Sequence, residues 1–409
     1  MSWTTYSVGD LCEVFDGPHA TPSPSLDGPI YLGITSIRQD GTIDFENSKR
    51  ISYEDYPKWT KRVTPQEDDV VFSYEANLDS FAIIPEGFEG CLGRRMAIMR
   101  PNKEKIEPRF LYYYLLSPKW KAVISQKTVL GATVNRIPIA TYPSFPIDIP
   151  CLEEQRRIAG ILSAYDSLIE NNRKQIKLLE EAAQRLYKEW FIDLRFPGHE
   201  SVEIDPDTGL PEGWKESAFL DEVSFVRGKS YNADNLVDAS EQQLINLSNI
   251  APFGGWLPGG EKPYSGNCRA DQIVSSGDIL LAVTDMTKER RLVGHAAMVP
   301  RSLSGSVISM DLIKLNPNNI APMYLYCLLR FSGVASMISM LANGTNVLHL
   351  KPESMNRVRI LVPNLDVQGK FSQLVKPLFA SIDCLSEQIT IASEARNRLL
   401  PKLLGGTDD

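Results

Sequence analysis

Cysteine and histidine are scarce in this 409-residue chain. The cysteines stand at 12, 91, 151, 268, 327 and 384 and form no C-x-x-C pair. None of the four histidines, at 19, 199, 295 and 349, lies at ligand spacing from them. The pattern favours reduced thiols in a cytoplasmic protein over a disulfide framework or a zinc site. Long apolar runs are missing too. Ile279-Leu280-Leu281-Ala282-Val283 is typical, far short of the ~18 residues that a membrane span needs. Met1-Ser2-Trp3-Thr4-Thr5 has neither the basic nor the apolar region of a secretory signal. Basic excess is absent as well: 43 Lys and Arg face 51 Asp and Glu, for a net charge of −8. Bulk charge therefore argues against nucleic acid, although local basic surfaces or a large basic partner remain open.

Catalytic signatures are equally thin. Arg227-Gly228-Lys229-Ser230 resembles the tail of a phosphate-binding loop, but Val223 stands where its first glycine is required. Ser304-Gly305-Ser306 lacks the second glycine of a nucleophile elbow. No H-E-x-x-H occurs. Asn316-Pro317-Asn318 and Asp205-Pro206-Asp207 read as turns, and His295 as a packing residue on a strand. An independent catalytic centre is not visible.

What the chain does have is a repeat. Its apolar fraction of 43% and charged fraction of 23% suit a globular protein of two or three domains. Trp3 and Trp214 lie 211 positions apart, as do Gly17 and Gly228. From Gly131 and Gly344 onward the offset is 213, through Pro150 and Pro363, Gln155 and Gln368, and Arg185-Leu186 and Arg398-Leu399. So long a unit reads as a duplicated half, each half being a globular part followed by a helix. Ile158, Leu162, Tyr165, Ile169, Asn172, Ile176, Leu179, Ala183, Leu186 and Trp190 form a heptad seam. Phe371, Val375, Leu378, Ile382, Leu385, Ile389, Ala392, Arg396, Leu399 and Leu403 repeat it. A helix over 153–190 would be about 57 Å long, and two matched seams most simply pair antiparallel. Asn172 on the seam reads either as a register-fixing polar residue or as a frayed or partner-facing one. Pro377 should kink or delay the second helix, and Pro401 with Gly405-Gly406 should end it.

The globular parts look mixed. Short strand-like runs (69–72, 82–84, 277–281, 296–299) alternate with Gly, Pro and Asp turns. Each part adds one aromatic helix, Phe110–Leu116 or Tyr324–Leu329, after Pro108 or Pro322, and 197–213 reads as a linker. The expected class is α+β: two mixed globular parts joined by two long antiparallel coiled-coil helices in a pseudo-two-fold repeat. The boundaries fall at 1–150, 151–195 for the first helix, 196–362 for linker and second part, and 363–409 for the second helix.

At the helix ends the sequence resembles a known family. Leu186-Tyr187-Lys188-Glu189-Trp190-Phe191-Ile192-Asp193, Phe196-Pro197-Gly198-His199 and Leu210-Pro211-Glu212-Gly213-Trp214 are similar to the central conserved region of type I restriction–modification specificity subunits. Ile149-Pro150-Cys151-Leu152-Glu153-Glu154-Gln155 looks like the lead-in to that family's first spacer helix. Val362-Pro363 with Gln368, and Arg398-Leu399-Leu400-Pro401-Lys402, look like its distal helix. The resemblance spans the whole chain and makes the two globular parts target-recognition domains. It implies a non-catalytic subunit that reads a bipartite site in double-stranded DNA for two methylation subunits, which methylate adenine N6 with S-adenosylmethionine. Restriction subunits would add cleavage with ATP and magnesium. On this reading the chain itself holds no cofactor, and the helix pair measures the unread spacer. The alternatives are a stand-alone methylase- or nuclease-related enzyme and a coiled-coil scaffold.

Candidate DNA contacts follow from side-chain chemistry, since Arg and Lys suit phosphates and guanine while Asn and Gln suit adenine. In the first half they are Arg38, Gln39, Lys49, Arg50, Lys58, Lys61, Arg62, Asn135 and Arg136, with Tyr53, Tyr56 and Trp59 interleaved. Arg94-Arg95 is a further candidate with a structural alternative beside a strand. In the second half they are Arg227, Lys229, Tyr231, Asn249, Lys288, Arg290, Arg291, Asn343, Thr345 and Asn346. Asn135-Arg136 and Thr345-Asn346 are expected in matching loops. For each of these the alternative is a solvated surface residue. Ile161, Leu168, Leu178 and Ile391 flank the seams and are expected to meet the methylation subunits.

Overall fold

The computed structural model describes residues 2–38, 41–45, 47–78, 80–131 and 134–405. The chain divides into two compact units, Met1–Ile169 with Ile391–Asp409, and Glu170–Thr390. This division differs from the boundaries at 150, 195 and 362. It cuts both long helices, because each helix half packs into the core of the unit it crosses.

In unit 1 the order is β1 (Thr4–Ser7), α1 (Val8–Leu11), β2 (Cys12–Asp16), β3 (Ser25–Leu32), α2 (Tyr56–Trp59), β4 (Val70–Ser73), β5 (Phe81–Ile83), β6 (Gly90–Leu92), β7 (Met96–Pro101), α3 (Pro108–Leu116), α4 (Pro118–Lys127) and β8 (Pro146–Ile149). The helix α5 (Leu152–Tyr187) follows and continues into unit 2. Unit 2 contains β9 (Lys215–Ala218), α6 (Phe219–Glu222), β10 (Val223–Arg227), β11 (Gln243–Ile245), β12 (Lys262–Pro263), β13 (Ile279–Ala282), β14 (Thr284–Asp285) and β15 (Ala296–Met298). After them come β16 (Val307–Ile308), β17 (Leu312–Pro317), α7 (Pro322–Phe331), α8 (Val334–Met340), β18 (Leu348–His349), β19 (Arg359–Val362) and α9 (Leu365–Leu403), which ends in unit 1.

The repeat is realised strand by strand. Unit 1 has a sheet ordered β2-β7-β4-β5, an antiparallel pair β1-β8 and a parallel pair β3-β6. Unit 2 has β10-β17-β13-β15, β19-β9 and a parallel β11-β16. Strands β4 and β13 are buried at every position, so both faces of each sheet are covered. Alternation splits their side chains between two cores. Val70, Phe72, Ala97 and Met99 face the aromatic helix α3, while Val71, Ala82 and Ile98 face β3 and β6. Ile279, Leu281, Ile313 and Leu315 do the first job in unit 2; Leu280, Ala282 and Leu312 do the second. Pro108 and Pro322 open α3 and α7 at the position where a missing N–H costs nothing.

The seams lie on the inner sides of the helices. In unit 1, Ile158 and Leu162 of α5 share a core with Leu400 and Leu404 at the end of α9. In unit 2, Asn172 Nδ2 donates to Gln388 Oε1 at 3.0 Å, and the Trp190 ring packs against Phe371 in a tilted contact at 5.7 Å. Going up α5 therefore goes down α9, an antiparallel pairing within that unit. Asn172 is buried and takes the register-fixing role rather than a frayed or partner-facing one.

The expectations that Pro377 would delay its helix and that Pro401 would end it need correction. Helix α9 begins at Leu365 and runs past Pro377, so the proline does not delay it. The helix loses one backbone bond there, while Ser381 Oγ donates to the Pro377 carbonyl at 3.0 Å and the core residues Val375 and Phe379 hold the turn in place. Pro401 lies inside the last turn and does not end it. The helix stops at Leu403, followed by Gly405 at φ +73°; Gly406 lies outside the described residues. Helix α5 closes with a wider π turn at Lys188–Ile192. The added residue turns both Trp190 and Phe191 inward, and Phe191 meets Tyr324 at 4.6 Å and Phe371 at 4.8 Å. Among the described residues no single helix is long and apolar enough to cross a membrane.

Candidate functional site

Three loops meet on one side of unit 2. Strand β14 pairs with β18, Thr284 opposite His349 and Asp285 opposite Leu348. This brings the segment after β14 against the hairpin closed by Asn343 and His349. Asp285 shapes that segment. Its carboxylate is fully buried; Oδ1 accepts from the Thr287 N–H and hydroxyl, both at 2.7 Å, and Oδ2 from the N–H groups of Leu292 at 2.6 Å and Val293 at 3.1 Å. Burial by itself pushes this carboxyl up, yet the bonds donated by Leu292, Thr287 and Val293 outweigh it and hold its pKa below the ordinary value. The loop that results presents Lys288 and Arg291 to solvent, with Met286 beside them.

The third loop spans Ile250–Trp256, which pair with each other. The Phe253 N–H donates to the Arg291 carbonyl at 2.7 Å, joining it to the Lys288–Arg291 loop. His295, expected on a strand, immediately precedes β15 and is buried against the Phe253 ring. Burial, and then the nearby Arg330, push its pKa below the usual histidine value, so it is neutral at pH 7.

Several expected contacts are taken up by the fold. Asn249 is wholly buried; its amide donates to Glu261 Oε2 at 2.7 Å and to the Leu257 carbonyl at 3.3 Å, so it is turned away from any base. Arg290 is a staple, not an exposed cation. Its Nη1 donates to the carbonyls of Ser339 and Ala342, tying its loop to the end of α8. Trp59 is buried in edge contact with Tyr31, and Tyr56 is half-buried. Arg95 takes its structural alternative, paired with Glu75 at 3.0 Å.

Other cations are exposed but compensated. Arg38 pairs with Asp44, Arg62 with Asp16, and Arg227 with Glu353 through two bonds from Nη2. Arg50 Nη1 donates to the Gly28 carbonyl, Tyr53 hydroxyl to Glu89, and Lys229 is half-buried. Lys58, Lys61, Asn135, Arg136, Asn343, Thr345 and Asn346 are exposed. Gln39 lies outside the described residues.

The matching loops need a correction of register. Arg136 bridges Val129 and Glu75 as His349 bridges Asn343 and Thr284, so Asn135-Arg136 corresponds to Leu348-His349. Thr345-Asn346 correspond instead to positions 132 and 133, outside the described residues. The shared feature is the glycine that starts each turn. A Cβ on Gly131 would sit 2.3 Å from the Val134 carbonyl oxygen, and one on Gly344 1.9 Å from that of Val347. The two basic clusters are not equivalent either: Lys58–Arg62 follows β3 around α2, whereas Lys288–Arg291 lies between β14 and β15.

Outside the loops, Leu168, Leu178 and Ile391 leave 42%, 63% and 60% of their surface exposed on the long helices, as expected. Ile161 is half-buried, because its turn of α5 packs on α3 and α4. Asp285 and Phe253 were missed by sequence reasoning. The Pro252-Phe253-Gly254-Gly255 turn is the signal that points to the latter.

Residues 1–181 match the family described as the type I restriction modification DNA specificity domain. The chain is 27% identical to the type I restriction enzyme MjaIX specificity subunit of Methanocaldococcus jannaschii, over 99% of this chain and 93% of that one. It is 21% identical to the HindI specificity subunit of Haemophilus influenzae, over 99% of both. Its fold is similar to the crystal structure of a type I restriction–modification S subunit from M. genitalium, with a TM-score of 0.62 at 14% identity over 100% of this chain and 97% of that one. The sequence is duplicated end to end and folds into two units of one strand order; its first 181 residues match the specificity-domain family, and along its full length it is similar to the specificity subunits of type I restriction–modification systems.

Proposed function

We propose that this chain reads a bipartite site in double-stranded DNA, one half-site per unit, and carries no catalytic centre of its own. The observation that supports it most directly is the loop cluster of unit 2, where Lys288, Arg291, Thr345 and Asn346 are exposed on a frame held by Asp285 and Arg290. Lysine and arginine there suit phosphates and guanine edges, and asparagine an adenine edge. A scaffold has no need of such a rigid polar surface. In this reading the two long helices pair as an antiparallel coiled coil and seat two methylation subunits, which bind S-adenosylmethionine and transfer its methyl group to adenine N6. Restriction subunits, with ATP and magnesium, would add cleavage. Leu168, Leu178 and Ile391 are the apolar positions offered to those partners.

The test is duplex binding by the complex assembled with its methylation subunit, measured across salt. Each phosphate neutralised adds about 0.9 to the slope of log K against log salt. A slope near zero, or binding indifferent to sequence, rules the reading out. Methyl transfer by the purified chain alone would favour the stand-alone enzyme instead.

A further inference from the structure

Two hairpins occupy the same place in the two units. Ile37 pairs with Ile43 in unit 1, and Ile250 with Trp256 in unit 2, 213 positions further along in both strands. Each is held from beneath by the aromatic helix of its unit. The Tyr112 hydroxyl donates to the Gly41 carbonyl at 3.1 Å, and Arg330 Nη1 donates to the Phe253 carbonyl at 3.1 Å. The glycine at the turn is shared, Gly41 at φ +80° and Gly254 at φ +96°. The sequence around it is not: 38–40 read Arg-Gln-Asp where 251–253 read Ala-Pro-Phe, and of the former three only Arg38 lies among the described residues.

Phe253 is an odd residue to find there. Its φ is +63°, a conformation disfavoured for a bulky side chain. It is held in it from both sides, by the Arg291 carbonyl at 2.7 Å and by Arg330, which is itself paired with Glu180 at 3.1 Å. The two residues that follow, Gly254 and Gly255, are buried, while 59% of Phe253 faces solvent. Its ring meets His295 edge-on at 5.7 Å, and the loop bearing Lys288 and Arg291 runs alongside. A single exposed aromatic is ordinary. An exposed aromatic clamped in a strained backbone, at a tip whose chemistry differs between two otherwise matching halves, is how a fold presents a side chain to something else.

We propose that Phe253 is a sequence-reading residue of unit 2, making an apolar contact with a base of its half-site while Lys288 and Arg291 hold the neighbouring phosphates. The inference rests on the DNA-reading function above. The chemistry is that of an apolar ring against a thymine methyl group or a base face. The corresponding tip of unit 1, with Arg38, is polar, as expected if the two halves read different sequences.

The complex assembled with the methylation subunit is compared as wild type, Phe253→Gly and Phe253→Ala. Glycine relieves the backbone strain, so the Phe253→Gly complex is expected to melt at or above the wild-type temperature. Its affinity for the cognate duplex should fall about 5- to 150-fold. Methylome mapping should show degeneracy in one half-site only. Replacing thymines of that half-site by deoxyuridine separates the two chemistries: a matching loss in wild type that is absent in Phe253→Gly identifies the methyl contact, and no loss identifies the base face. Wild-type affinity and motif in both variants would overturn the proposal. So would degeneracy in both half-sites, or unfolding of both variants, which would make the ring a packing residue. A wild-type complex that shows no salt-dependent duplex binding would instead overturn the DNA-reading function itself.

Discussion

Gln155 and Gln368 make the same pair of contacts at the start of the two long helices. Gln155 donates to the Pro150 carbonyl at 2.9 Å and accepts from the Glu107 N–H at 2.9 Å; Gln368 donates to the Pro363 carbonyl at 2.6 Å and accepts from the Ala321 N–H at 2.7 Å. Glu107 and Ala321 immediately precede α3 and α7. Each buried amide thus pins the first turn of a long helix to the aromatic helix of its own unit.

Gln155→Ala or Gln368→Ala leaves a backbone N–H and a carbonyl without partners. Each should destabilise its unit by about 1–3 kcal/mol. The two share no partner, so the double variant should lose close to the sum. Denaturant unfolding measures this, and a negligible loss in both would show that neither clamp holds its helix.

Asp285→Asn removes the negative charge and puts an NH2 donor in place of one of the two carboxylate oxygens on which the Lys288–Arg291 loop is built. The expected cost is about 1.5–3 kcal/mol at pH 7, the usual range for hydrogen bonds to a charged group. The folded pKa lies below the unfolded value of about 3.9. The carboxylate therefore contributes its stability above that unfolded value and loses it as pH falls through the folded pKa. The gap between wild type and variant should begin to narrow near pH 4 and close once the pH has fallen through the folded pKa. A gap that stays constant down to low pH would assign the effect to packing instead.

Lys288→Ala with Arg291→Ala should damage one half-site and leave the other untouched. If both residues hold phosphates, affinity falls for every sequence and the salt slope drops by about 0.9 for each. If either reads a base, about 1–3 kcal/mol of discrimination disappears at one position. Altered preference in both half-sites would contradict independent reading by the two units.

Leu178→Glu and Ile391→Glu place charge on exposed apolar positions of the helices. Co-purification with the methylation subunit should weaken, while the melting of the isolated chain stays within about 0.5 kcal/mol, as for surface changes. Unchanged co-purification would place the methylation subunits elsewhere.

Much of the architecture was legible in the sequence because its signals are local or periodic. The 213-residue offset relates the hairpins at Ile37 and Ile250 as well as the later residues from which it was inferred. The aromatic helices begin at Pro108 and Pro322, since a proline at the first helical position announces itself. Loop chemistry was much less legible. Asn249 and Arg290 carry the side chains of a base reader, and a sequence does not record which way a polar side chain turns.

By itself, then, the sequence determined the duplication, the seams of α5 and α9, and the short apolar runs that became β4 and β13, because such patterns are written into residue spacing. Tertiary structure alone decided that Asn172 meets Gln388 and that Pro377 sits inside a continuous helix. It also decided that Asp285 and Arg290 hold the loop from which Lys288 and Arg291 project, with Phe253 on the neighbouring loop bonded to it. Those outcomes depend on partners far away in the chain. A buried polar group takes whichever partner the surrounding elements bring within reach, because leaving it unpaired costs more than almost any local preference.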